Sequence, residues 1–115
     1  MDAPSPLLVA CLCAEWCGSC RSYRTLFDDV AAQFAGRADF RWIDIEDHAD
    51  ALGELDIDTF PTLLIADRDS MLFFGALTPQ AAVLSRTLEN ALEGALPPAR
   101  LAVGLADLPS RVRAI

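Results

Sequence analysis

The sequence predicts an α/β domain in which a β-α-β unit, a short helix and a β-β-α unit follow one another. Three observations predict it. A brief apolar run at residues 7–13 leads directly into an amphipathic stretch at 18–35. Two short apolar segments, 62–66 and 71–75, flank a four-residue polar connection. A second amphipathic stretch then runs to Gly94. At 115 residues the chain has the length of one domain, and with 53% hydrophobic residues it has enough apolar side chains for a core without crosslinks.

Residues 1–6, broken by Pro4 and Pro6, read as a short leader. Residues 7–13 are almost continuously apolar, the pattern of a strand covered on both faces. In the following stretch Tyr23, Leu26, Phe27, Val30, Ala31 and Phe34 recur at three-and-four spacing, and Gly36 stands where a helix would stop. The β-formers of residues 40–45 make a second strand, parallel to the first through a right-handed crossover. Residues 47–55 read as a weaker helix that ends before the turn at 56–61. Segments 62–66 and 71–75 are close enough for an antiparallel hairpin. Pro79 suits the first turn of a last helix, capped by Thr78, with Ala82, Val83, Leu84, Leu88 and Leu92 as its buried stripe. The domain therefore spans 7–94, and 95–115 is a tail to which the pattern assigns no structure.

Composition excludes several function classes. A net charge of −8, with only nine scattered Lys and Arg, offers neither nucleic acid nor an anionic membrane the basic surface it requires. No apolar stretch reaches the roughly 20 residues of a transmembrane helix. The apolar run near the N-terminus has no basic leader before Arg21, so it does not read as a secretion signal. The expectation is a cytosolic protein, where a close cysteine pair is more often catalytic or metal-binding than a structural staple.

All four cysteines lie within C-L-C-A-E-W-C-G-S-C-R at residues 11–21. Cys17 is expected at the helix start, where unpaired N–H groups and the positive end of the dipole favour a thiolate and make it the nucleophile. Cys20, one turn further in, can attack a mixed disulfide at Cys17 and release the reduced substrate. Gly18 removes bulk between the two, Trp16 shields the attacking sulfur, and Ser19 offers a hydroxyl to nearby sulfur or backbone.

With A-E-W-C-G-S-C at 14–20, F-P-T at 60–62 and G-A-L-T at 75–78, the chain resembles the thioredoxin family over residues 7–92. The resemblance implies a minimal thioredoxin fold, a four-stranded mixed sheet flanked by helices. It also implies thiol-disulfide oxidoreductase activity on protein disulfides, without a bound cofactor or metal. Electrons would come from a thioredoxin-reductase-like flavoprotein or another dithiol donor. Pro61 matches the family's cis proline, which leaves the backbone of Phe60 able to pair with an extended substrate. Trp16, Phe60, Pro61, Gly75 and Ala76 would form the docking surface.

Several positions depart from the family. Cys11 replaces the buried Asp that helps deprotonate the second cysteine, Trp42 replaces its Lys partner, and Cys13 replaces a Trp. A neutral thiol is a poorer base than a carboxylate at neutral pH, so the resolving step is expected to suffer. Ser19 and Thr25 stand where the family has prolines, which is expected to make the couple less reducing. The family's first strand and helix have no counterpart, so the edge at 40–45 must be protected by Arg41 and Asp44, by the tail, or by another subunit.

Cys11 and Cys13 share one strand face and read as small buried hydrophobes. A four-thiol zinc site and a regulatory Cys11–Cys20 disulfide are the sharper alternatives. His48 and the acidic run at 44–50 read as a solvated helix start, and Trp42, Phe73 and Phe74 as core and sheet contacts. The rival to the enzyme is a binding or assembly module that keeps the fold with little redox turnover.

Overall fold

The computed structural model describes residues 7–14, 18–48, 50, 61–67, 71–94 and 108–114, with Ser19 described in its backbone alone. These residues form strand β1 (Leu7–Cys13), helix α1 (Gly18–Gln33), strands β2 (Ala38–Asp44), β3 (Thr62–Ala66) and β4 (Met71–Gly75), and helices α2 (Ala81–Leu92) and α3 (Leu108–Arg113). The strands make one mixed sheet in the order β2-β1-β3-β4. β1 runs parallel to β2, from Leu7 beside Ala38 to Cys13 beside Asp44, and antiparallel to β3, which pairs antiparallel with β4. The expected β-α-β unit and hairpin are both present. Of the expected helix at 47–55, Asp47 and His48 lie in a turn and Asp50 is helical, and the rest lies outside the described residues, as do residues 56–60 of the expected turn at 56–61. Among the described residues no helix is long and apolar enough to cross a membrane.

β1 is central, and all seven of its residues are buried. Its side chains alternate between two cores. Leu7, Val9, Cys11 and Cys13 face Tyr23, Phe27, Val30 and Phe34 of α1 and Leu84, Leu88 and Ala91 of α2. Leu8, Ala10 and Leu12 face the other way, toward Ile43, Leu64 and, on α3, Leu108 and Val112. This two-sided burial is why the strand reads as an unbroken apolar run.

β2 begins two residues earlier than the sequence pattern indicates. The N–H groups of Arg37 and Ala38 both donate to the Phe34 carbonyl, at 2.9 and 3.2 Å, and Gly36, just before them, takes φ +83°. That left-handed turn is cheap for glycine and brings the chain into register by Ala38.

α2 starts later than expected. Neither Thr78 nor Pro79 opens it; Gln80 occupies the cap position with extended backbone (φ −134°, ψ 134°) and no side-chain cap bond. Leu77 is packed against the core, and the Gln80 N–H closes a tight turn on the Thr78 carbonyl at 2.7 Å. The chain is thus anchored first and turns into the helix afterwards. The stripe is also narrower than expected: Leu84, Leu88 and Ala91 are buried, whereas Ala82 and Leu92 are exposed.

Part of the tail is a structural element. Leu108 and Val112 of α3 are fully buried on the sheet face opposite α1. Arg41 on β2 donates from Nη1 to the carbonyls of Val112 and Arg113, at 3.4 and 3.1 Å, a cation at the negative end of the helix. Arg113 Nη2 in turn donates to the Asp67 carbonyl at 3.3 Å. Of the alternatives for guarding the edge, the structure joins two, the charge of Arg41 and the tail.

Candidate functional site

The site lies where β1 ends and α1 begins. Trp16, Cys17 and Phe60 lie outside the described residues, as does the Phe60–Pro61 bond. α1 starts at Gly18, the residue after Cys17, and its first turn contains no acidic side chain to oppose a negative charge there. Gly18 is exposed, and a Cβ added to it would meet nothing closer than the Arg21 guanidinium at 3.9 Å, so among the described residues nothing requires glycine for space. Cys20, in that first turn, is only 1% exposed and belongs to the core shared by β1, α1 and α2.

The sheet brings the rest of the expected surface to the same end. β3 pairs with β1 through Thr62 beside Leu12, so Pro61, half-buried, sits next to the carboxyl end of β1. Gly75 closes β4 opposite Leu63, and the exposed Ala76 follows it at the same sheet edge as Pro61. A Cβ at Gly75 would make only an ordinary contact, 3.7 Å, with the Phe73 ring.

Behind this edge three of the four cysteines are buried in the core that β1 shares with α1 and α2. Cys11, Cys13 and Cys20 are thiols at 0%, 2% and 1% exposure in one cluster, and the Sγ atoms of Cys11 and Cys13 are 3.4 Å apart. Cys11, which stands where the family has its buried Asp, is itself fully buried and lies beside Trp42 in the β1–β2 register. Among the described residues no group of three ligating side chains has the geometry to hold a metal ion.

Sequence reasoning took Tyr23 only for a core aromatic, yet its hydroxyl is buried and has no hydrogen-bond partner among the described residues. Burial, and after it the negative charge of Cys11 and then of Cys13, raises its pKa well above the ordinary tyrosine value. A buried hydroxyl with no partner costs about 1–3 kcal/mol. Tyr23→Phe should accordingly leave the reduced protein as stable as the wild type or stabilise it by about 1 kcal/mol. Urea unfolding checks this, and a clear loss of stability would show that the hydroxyl is bonded.

Cys20 lies on the wall of a cleft of about 440 Å³, with Arg21, Arg24, Trp42, Asp44 and Asp47. The Arg24 guanidinium lies 4.7 Å from the centre of the Trp42 ring, and Trp42 packs edge-on to Phe27 at 5.7 Å. Asp44 accepts the N–H groups of Glu46 and Asp47 at 2.8 and 3.4 Å, so the start of the acidic run holds a turn. His48 is half-buried in that turn, its N–H on the Asp44 carbonyl at 3.2 Å, and not a solvated helical residue as expected. Phe73 and Phe74 pack on opposite faces of the sheet, as expected for sheet contacts.

The thioredoxin family model matches residues 2–88. Among curated relatives, a thioredoxin of Staphylococcus aureus is 27% identical over 52 residues, 45% of this chain and 50% of that protein. The chain thus spans about half the length of the curated relatives it matches. Among solved structures, thioredoxin from Trypanosoma brucei brucei superposes with a TM-score of 0.65 at 22% identity, covering 77% of each chain. The germline-specific thioredoxin Deadhead of Drosophila melanogaster gives 0.65 at 19% identity, covering 75% of this chain and 81% of its own. At these identities the structural likeness is one of fold.

Proposed function

The chain belongs to the thioredoxin family, and we propose that it is a thiol-disulfide oxidoreductase acting on protein disulfides through Cys17 and Cys20. One observation carries the reading. α1 begins immediately after Cys17 and draws Cys20 into the core one turn later, so the two thiols are unequal: one at a helix start, one sealed at 1% exposure. The Cys17 thiolate attacks a substrate disulfide and displaces one of its sulfurs as a thiolate, which takes up a proton. The Cys20 thiolate then attacks Cys17 Sγ, closes the Cys17–Cys20 disulfide and releases the second substrate sulfur. Pro61, Gly75 and Ala76, gathered at one sheet edge, dock the extended substrate together with Trp16 and Phe60. A flavoprotein reductase or another dithiol donor of the cytosol restores the dithiol.

A second reading, a binding module with slow turnover, has its own support. Where the family has a buried carboxylate to help deprotonate the resolving cysteine, this chain has Cys11, buried in the same hydrophobic core as Cys20. Asp44 and Asp47 share only the wall of the cleft with it. The two readings separate in one assay, the reduction of insulin by dithiothreitol. The oxidoreductase accelerates it in proportion to its concentration, whereas a rate equal to that of dithiothreitol alone leaves only the binding module.

A further inference from the structure

We propose that Cys11 and Cys13 form a second, internal dithiol that passes a second pair of electrons outward through Cys20. The inference rests on the reading of Cys17 and Cys20 as the redox pair. Three observations carry it. The Cys11 and Cys13 sulfurs are already 3.4 Å apart. Both are buried to 2% exposure or less, which keeps bulky external disulfides away, and Cys20, buried in the same core at 1%, also lines a cleft. The Tyr23 hydroxyl, buried and with no hydrogen-bond partner among the described residues, lies near enough to both sulfurs to feel their charge once they ionise. A donor left idle beside two thiols gains an acceptor when one of them becomes a thiolate.

The exchange balances without an external oxidant. After the outer pair has reduced one substrate, the Cys13 thiolate attacks Cys20 Sγ of the Cys17–Cys20 disulfide; a Cys13–Cys20 bond forms and Cys17 leaves as a thiolate. The Cys11 thiolate then attacks Cys13 Sγ, forms Cys11–Cys13 and frees Cys20. Two electrons move from the inner dithiol to the outer disulfide, and the protons lost by Cys11 and Cys13 end on Cys17 and Cys20. Two residues of strand rise place the two Cα atoms about 6.6 Å apart. That lies near the upper end of the roughly 4.4–6.8 Å a disulfide spans, so closing the inner bridge draws the strand in locally and the bridge reopens readily. A fully reduced molecule would then serve two substrate disulfides before it needs its donor.

The test is a count of equivalents. Fully reduced protein is mixed anaerobically with excess insulin and no dithiothreitol, quenched with acid, alkylated in denaturant and weighed intact. Cleavage after Glu15 separates the Cys11/Cys13 fragment from the Cys17/Cys20 fragment and locates each bridge. The expected result is accumulation of protein with no alkyl label, its bridges involving Cys11 and Cys13. Cys13→Ala should stop at one equivalent, and Cys20→Ser should leave Cys11 and Cys13 fully labelled. Tyr23→Phe should reach the unlabelled state about tenfold more slowly, the worth of one hydrogen bond to a charged sulfur. Wild type that stops at two labels, both on Cys11 and Cys13, overturns the inference while leaving the outer pair intact. Loss of those labels in Cys20→Ser overturns the route through Cys20. Four labels throughout would show the outer pair itself to be inactive and would remove both.

Discussion

Cys17→Ser is expected to lower insulin reduction to the rate of dithiothreitol alone, the largest effect of any single substitution outside the core. A hydroxyl is not ionised at neutral pH and cannot form the mixed disulfide, so the first step is lost entirely. Cys20→Ser should differ in kind. It keeps the attacking thiol at the start of α1 and loses only the buried sulfur that resolves, so the substrate should remain bound through Cys17 as a trapped mixed disulfide, visible by intact mass. If both variants were merely slow, with no trapped species, the division of labour drawn from the burial of Cys20 would be wrong.

The second large effect is on stability and lies far from the cysteines. Leu108→Ala is expected to cost about 2–5 kcal/mol, the range for removing a fully buried leucine side chain. Against a typical domain stability of about 5–15 kcal/mol this is a large fraction. Leu108→Asp, which places a carboxylate against Leu8, Leu12 and Leu64, should unfold the chain at room temperature. The reason is topological. α1 and α2 both lie on one face of the sheet, and among the described residues α3 is the helix whose side chains join the other core. Arg41→Ala should cost less, because it removes part-buried hydrogen bonds to the α3 carbonyls and not core volume. Urea midpoints of the three variants check the order. A Leu108→Ala loss below about 1 kcal/mol would mean that α3 does not hold this face.

The parts of the fold legible in the sequence are those set by local pattern and burial together. β1 and the β3–β4 hairpin fall where their short apolar runs place them, and in β1 burial on both faces leaves no polar residue to blur the ends. The start of α2 was not legible. Pro79 and Thr78 satisfy a local rule for helix starts, but packing of Leu77 delays the helix to Ala81. α3 was invisible for a stronger reason. Six residues with Pro109 in the first turn have no helical pattern of their own, and Leu108 and Val112 acquire a partner only once β1, β2 and β3 are side by side. In the site, the common face of Cys11 and Cys13 and the inward position of Cys20 follow from strand and helix periods. The unbonded Tyr23 hydroxyl and the Arg24–Trp42 stack depend on atoms that only the folded chain brings together.

The central claim is that the start of α1 makes the sulfur of Cys17 a reactive thiolate. The rate of Cys17 alkylation by iodoacetamide as a function of pH, followed by mass in the Cys20→Ser variant, measures this directly. The account predicts a midpoint below the value of about 8.5 for an ordinary cysteine, with the thiol already largely ionised at neutral pH. A midpoint at or above about 8.5 would contradict it.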